Sequence, residues 1–238
     1  MTSLPLLTPA GPKGLFAVDK PAGMLVIPGR AGEAKEGPCV RDLVSRQLGR
    51  PVWVVHRIDR DTSGVLLLAL DADAHRAASL AFERHEVKKT YLALVQGVVR
   101  EPLDIGLPLV EARKRKMKVA PPGLAGKPSR TVVRPVETFA RATLVACEPL
   151  TGRQHQIRVH LMAKGHPLLV DHQYGRREPL RERDVGGASD EVVLSRTPLH
   201  AAKLELPSLG FVAESPLPAD LRAVVERLAG GATPRGHY

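Results

Sequence analysis

An α+β fold, with a mostly antiparallel mixed sheet and flanking helices, is predicted by three features of the sequence. Strand-like apolar segments dominate the centre of the chain, at 90–95, 115–120, 131–138 and 142–149. Stretches with helical apolar spacing lie around them, at 39–48, 73–84, about 153–164 and 218–229. No internal repeat and no linker-like tract divides the chain.

The elements follow in order. After a Pro/Gly-rich start, LFAV (15–18) and MLVI (24–27) flank Asp19-Lys20-Pro21-Ala22-Gly23, whose Pro-x-Gly predicts a turn and hence a strand–turn–strand unit. Residues 28–38 are polar and rich in Gly and Pro, a loop. Val40, Leu43, Val44 and Leu48 form one stripe of a helix that Gly49 ends. Two buried strands, 52–56 and 65–70, flank the charged stretch HRIDRDTSG (56–64). The 73–84 helix is capped by Asp71 or Asp73. The basic cluster Arg113-Lys114-Arg115-Lys116 sits at the edge of the strand-rich region. Residues 175–191, dense in charge and glycine, read as an exposed, mobile loop, and a strand at 199–206 precedes the last helix.

Composition bounds the function. Hydrophobic residues make up 43% of the 238, enough for a packed core. Lys and Arg number 35 against 25 Asp and Glu, a formal net charge of +10, which favours polyanions such as nucleic acid but equally describes a basic protein with no such partner. The two cysteines, Cys39 and Cys147, have no CxxC spacing and read as reduced packing residues of a cytoplasmic protein. The N-terminus lacks the pattern of a signal peptide, and VLLLAL (65–70) is too short to span a bilayer.

Several chemistries lose support at once. His155 and His160 are five apart, where helical zinc pairing needs four, and His166 and His172 have only Asp171 near them, so no metal is expected. No GxxxxGK[ST] or GxGxxG supports a nucleotide cofactor, and Ser63 lacks the Gly-x-Ser-x-Gly frame. Aromatic residues, at 3%, are too few for a broad base-stacking platform.

Two segments remain. In 56–64 a strand leaves the core into His-Arg-Ile-Asp-Arg-Asp, where Asp59 suits a nucleophile or general acid/base kept ionised by its arginines; a solvated turn with surface ion pairs accounts for the same residues. In 151–161, Thr151 and Gln154 have capping-box spacing, Gln154 and Arg158 share one helical face, and Ile157 and Leu161 share another that can bury. A helix N-terminus beside Arg153 suits a phosphate, and a plain amphipathic helix is the competing reading. Tyr91, after Lys88 and Lys89 in a strand, is either packing or a neighbour of an anionic ligand.

Taken together, from about residue 14 to 206, these segments resemble the RluA-type pseudouridine synthases. Asp19-Lys20-Pro21-Ala22-Gly23 resembles the opening motif, and His56-Arg57-Ile58-Asp59 with Thr62-Ser63-Gly64 the signature around the catalytic aspartate. Lys89-Thr90-Tyr91-Leu92-Ala93-Leu94 is similar to the motif of the active-site tyrosine, and Gly152-Arg153-Gln154-His155-Gln156-Ile157-Arg158-Val159-His160 to that of the active-site arginine. His166-Pro167-Leu168-Leu169, Asp171, Tyr174-Gly175 and Leu199-His200-Ala201 match later landmarks. His56 favours the RluA type over the RsuA type, where a glycine is usual.

The resemblance implies isomerisation of uridine to pseudouridine in structured rRNA or tRNA, without metal, cofactor or energy source. It implies Asp59 as the indispensable carboxylate, nucleophile or base, with Arg158 paired to it and Tyr91 stacked on the target base. Arg57 fills the space left by a flipped nucleotide, and Arg153 and Lys20 are further RNA contacts. Ile58 departs from the commoner leucine and Val170 from the usual glycine. The expected organisation is an N-terminal extension (1–13), a catalytic domain (14–230) without a preceding S4-like RNA-binding domain, and a tail (231–238), acting as a monomer. Two other readings compete: an RNA-binding protein that keeps the fold without activity, against which Asp59, Tyr91 and Arg158 all argue, and a hydrolase that cleaves glycosidic bonds with Asp59 and Asp61 as a carboxylate pair.

Overall fold

A computed structural model describes residues 3–8, 14–29, 37–113 and 116–230. In chain order the elements are β1 (Leu15–Lys20), α1 (Val40–Leu48), β2 (Trp53–Val54), β3 (Ser63–Ala69), α2 (Ala72–Glu83), β4 (Lys88–Gln96), β5 (Leu103–Ile105), β6 (Leu109–Glu111) and β7 (Met117–Val119). They continue with β8 (Thr131–Thr138), β9 (Ala142–Pro149), α3 (Gln156–Ala163), β10 (Leu180–Arg181), β11 (Val192–Leu194), β12 (Leu199–Leu206), β13 (Phe211–Glu214) and α4 (Ala219–Leu228). The described pairings are antiparallel, as the α+β expectation requires. No helix among the described residues is long and apolar enough to cross a membrane.

The chain forms two compact units, the first of residues 1–89 and 201–216, the second of 90–200 and 217–238. In the first unit the strand order is β1-β3-β12, with β13 on β12 and β2 on β3. Every residue of β3 is buried, because alternate side chains enter two different cores. Val65, Leu67 and Ala69 join Leu15, Ala17 and the Ala74-Ala78-Ala81 stripe of α2, whereas Leu66 and Leu68 join Phe16, Val18 and Val40 and Val44 of α1. Leu4 belongs to this second core too, held by paired hydrogen bonds with Gln47: its amide donates to Oε1 at 2.9 Å and its carbonyl accepts from Nε2 at 3.1 Å.

The second unit has the order β4-β9-β8-β5. Ala93 and Val95, Val145 and Cys147, and Val133 present one face, on which Ile157 and Leu161 of α3 are buried. Cys39 and Cys147 are both free and buried.

Several expectations need correction. Residues 24–27 are not a strand: β1 finds its partner in β3, and the chain after the Pro21–Gly23 turn runs irregularly into α1, with Val26 buried as a core residue. The 52–56 segment is paired only at Trp53 and Val54, and Trp53 is 45% exposed, so it is not a buried strand. The tract 175–191 is not a plain loop, since β10 pairs with β11 and a 3-10 turn at 182–185 lies between them. The edge strands β5, β6 and β13 are three or four residues long, too short for alternation to announce them. Within the basic cluster, Lys114 and Arg115 lie outside the described residues; Arg113 and Lys116 flank the tip of the β6–β7 hairpin.

Candidate active site

Asp59 opens a reverse turn. Its carbonyl accepts the Thr62 amide at 3.1 Å, Arg60 and Asp61 occupy the corner, and β3 begins at Ser63. The turn is clamped from below by the Asp19–Gly23 segment: the Gly23 amide donates to the Arg60 carbonyl at 2.9 Å and Arg60 Nε returns a bond to the Gly23 carbonyl at 3.0 Å. Lys20 completes the clamp. Its side chain is fully buried, and Nζ donates to the carbonyls of Pro21, Met24 and Arg60, each at 2.8 Å. The structure thus places the Lys20 ammonium, read from the sequence as an RNA contact, against three backbone carbonyls, where it braces the Asp59 turn. On the other side, Gly64 has φ +106°, and a Cβ there would lie 2.8 Å from the Ala201 carbonyl carbon and 2.9 Å from its nitrogen. Arg57, by contrast, is exposed and Asp59 half-buried.

His56 is held for structure as well. Its Nε2 accepts the Leu67 amide at 3.0 Å and its ring stacks on Phe82 with centroids 5.0 Å apart. Burial first, and the charge of Lys89 second, push its pKa down to about 3, so the ring is neutral. Burial also lowers Lys89 to about 8.

In the second unit Tyr91 sits on β4, opposite Cys147 in β9, half-buried and packed against that core. Arg158 lies on α3 and is 8% exposed. Its Nε and Nη2 donate to Oδ2 and Oδ1 of Asp171, both at 2.8 Å, with a further bond from Nη2 to Gln173 Oε1 at 3.3 Å. The Tyr174 ring lies beneath the guanidinium, 5.0 Å from its centroid to Cζ. Asp171 is 1% exposed; burial works to raise its carboxyl pKa, but the Arg158 hydrogen bonds and charge, with the amides of Gln173 and Tyr174, hold it below the usual range.

The helix start differs from expectation. α3 begins at Gln156, after His155 in the left-handed region at φ 54°, so the Thr151–Gln154 capping box does not form, and Gln154 lies exposed before the helix. Gln156 does the tying instead. Its Oε1 accepts from Thr151 Oγ1 at 2.7 Å and the Arg153 amide at 3.0 Å, while its Nε2 donates to the Arg130 carbonyl at 2.9 Å. Arg153 is half-exposed, with Nε on the Pro128 carbonyl at 3.2 Å. His160, fully buried, bridges Thr131 Oγ1 and the Leu107 carbonyl, both at 2.9 Å. The Val170 departure is accommodated: the side chain is fully buried, and the positive-φ non-glycine residues among those described are His85 and His155. Among the described residues no group of three His, Cys, Asp or Glu is placed to hold a metal.

Sequence reasoning singled out Asp59 and Arg57, which belong to the first unit, and Tyr91, Arg153 and Arg158, which belong to the second. It missed that Asp171, Gln173 and Tyr174 serve Arg158. The Asp-x-Gln-Tyr spacing did announce a local turn, since Asp171 Oδ1 accepts the amides at 173 and 174. Nothing in the spacing announces the arginine 13 residues earlier.

Comparison with known proteins places the chain in a class. The family model described as RNA pseudouridylate synthase matches residues 14–163, and the chain belongs to that family, in its RluA branch. Among relatives, ribosomal large subunit pseudouridine synthase D of Nitrosomonas europaea is 37% identical over 222 residues, 90% of this chain and 62% of that protein. tRNA pseudouridine synthase C of Salmonella typhimurium is 37% identical over 204 residues, 81% of this chain and 76% of that one. The chain thus spans less than two thirds of the length of the Nitrosomonas relative. Among solved structures, human RNA pseudouridylate synthase domain containing 4 superposes with a TM-score of 0.76 at 25% identity, covering 94% of this chain and 92% of its own. The human domain containing 1 protein, at 23% identity and TM-score 0.73, shows the same fold.

Proposed function

We propose that this protein is an RNA pseudouridine synthase that isomerises uridine in structured ribosomal or transfer RNA. The observation that carries the reading is membership of the family, with 37% identity across 90% of the chain to a named synthase, together with a turn that presents Asp59 from a rigid, doubly braced support. The reaction breaks the C1′–N1 bond, turns the uracil, forms a C1′–C5 bond, and moves one proton from C5 to N1, so mass and redox state are unchanged. Asp59 acts on the nucleoside as nucleophile or base. Arg158 pairs with it, keeping it ionised and fixing its direction. Tyr91 stacks on the uracil, and its hydroxyl serves removal of the C5 proton.

The target is flipped out of its stack at a cost of a few kcal/mol, and exposed Arg57 fills the vacated space. Arg153 and the overall charge of +10 supply affinity for the phosphate backbone. The protein works as a cytoplasmic monomer and needs no metal or cofactor.

The test is pseudouridine mapping, by carbodiimide labelling and primer extension, on RNA from cells lacking this protein and complemented with wild type or Asp59→Ala. A uridine modified only with the wild type is expected. Modification by Asp59→Ala, or release of free uracil in place of isomerisation, would overturn the assignment, the latter in favour of a hydrolase.

A further inference from the structure

The ion pair between Arg158 and Asp171 has more geometry than stability requires. Replacing a buried ion pair by well-packed apolar residues is often neutral or stabilising, so such a pair is weak evidence of a stabilising role. Here the carboxylate takes the whole Nε–Nη2 edge of the guanidinium, which fixes the plane of the group and directs its Nη1 edge. Asp171 is itself immobilised: Oδ1 also accepts the Gln173 amide at 2.9 Å and the Tyr174 amide at 3.1 Å, its own amide donates to the Arg176 carbonyl at 2.7 Å, and its carbonyl accepts the Gly175 amide at 3.1 Å.

The floor under the guanidinium is equally fixed. Tyr174 Oη accepts the Met117 amide at 2.7 Å and lies 2.7 Å from His155 Nδ1. The amide can only donate, so Oη accepts from Met117, and its hydrogen bond with His155 ties the ring at a second point. One side of Arg158 is thereby tied to the turn after α3, and the plane below it to the β6–β7 hairpin and the start of α3.

We infer that Asp171 is the positioning residue for Arg158, with Tyr174 as its floor, and that it sets the rate of the isomerisation by aiming the guanidinium. This rests on the synthase reading above. It assigns Asp171 no contact with RNA; its effect passes through Arg158.

The experiment compares wild type, Asp171→Asn, Arg158→Lys and the double variant by tritium release from RNA labelled at uracil C5, together with RNA affinity and melting temperature. A second readout, hydrogen exchange at the Arg158 Nε–H by NMR, needs no activity. Misaiming a group by an ångström costs about 100-fold, so Asp171→Asn should lower kcat by about that much and leave RNA affinity unchanged. The double variant should be no slower than the slower single variant, because both act through one group. The Arg158 Nε–H should be protected in the wild type and exposed in Asp171→Asn. Multiplicative losses in the double variant, near-normal kcat in Asp171→Asn, or unprotected Nε–H in the wild type would each overturn the inference. Should Asp171→Asn not fold, Asp171→Glu, which keeps the charge but misplaces it by a methylene, must show the kcat loss at near-normal RNA affinity. A wild type that releases no tritium from any RNA defeats the synthase reading itself, and the exchange measurement then decides alone whether Asp171 holds Arg158.

Discussion

Lys20 shows how a motif can be read from sequence while the bonds its residue makes are not. A lysine at the end of a strand, followed by Pro-Ala-Gly, has every mark of a surface cation, and in a protein of charge +10 an RNA contact is the natural reading. Only the fold brings the carbonyl of Arg60, 40 residues away, to its ammonium. The same limit separates Gln154 from Gln156: the spacing from Thr151 favoured the first as a cap, and the left-handed His155 hands the role to the second. Asp59 and Arg158 could be singled out because their neighbours form motifs, whereas Asp171 and Lys20 bond partners that chain spacing does not encode. The structural role of Lys20 is measurable. Lys20→Met keeps the apolar stem but leaves the Pro21 and Met24 carbonyls without this donor, while Arg60 O keeps the Gly23 amide. At ~1–3 kcal/mol for each buried polar group left unsatisfied, unfolding in urea should show a loss of roughly 2–6 kcal/mol. Stability equal to wild type would mean the clamp contributes nothing.

At the scale of elements, strands with a buried alternating face were read to the residue: 131–138, 142–149 and 199–206 are β8, β9 and β12. Their patterns are strong because one face packs on a core. MLVI failed by the same physics, since Met24, Val26 and Ile27 meet the burial demand of the second core without needing a strand partner. The charged tract 175–191 hid a ribbon whose order comes from polar links such as Arg176 to Asp184 at 2.7 Å, which apolar periodicity cannot report. The element that matters most for the site is the junction of the Asp59 turn with β3, and Gly64 governs it. A Cβ there meets backbone, which cannot swing aside, at a φ that side chains rarely adopt. Gly64→Ala should cost more than ~3 kcal/mol and shift thermal melting accordingly, with Asp59 displaced as β3 yields. Melting of Gly64→Ala within a degree or two of wild type would show that Ala201 can move and that the turn is not pinned from this side.

At the scale of the molecule, composition indicated a basic protein with a packed core but carried no information on which histidines stay neutral. Each unit turns out to hold one that must stay neutral, His56 in the first and His160 in the second. Burial lowers the pKa of both; for His160 the Leu107 carbonyl opposes the shift without cancelling it. An unfolded histidine titrates near 6.5. Below that pH the unfolded rings take up protons that the folded rings refuse, so the unfolded state binds more protons and stability falls as the medium becomes acid. For His56 the loss begins near 6.5 and ends near its folded value of about 3, at about 1.4 kcal/mol per pH unit. His160 adds a loss of the same sign from the same upper limit. Lys89, lowered to about 8 from an unfolded value near 10.5, gives stability that rises with pH across that higher window. The lowered carboxyls of Asp171 and Asp220 contribute only in strong acid, as the pH falls below about 3.9 and through their folded values. Both histidines therefore contribute acid sensitivity between pH 6.5 and 4.5. Urea unfolding across that range should show stability declining steadily, and His56→Gln, whose amide oxygen can still accept the Leu67 amide, should remove the part of the slope due to His56. A slope unchanged in His56→Gln would place the missing proton elsewhere and refute a neutral His56 as its source.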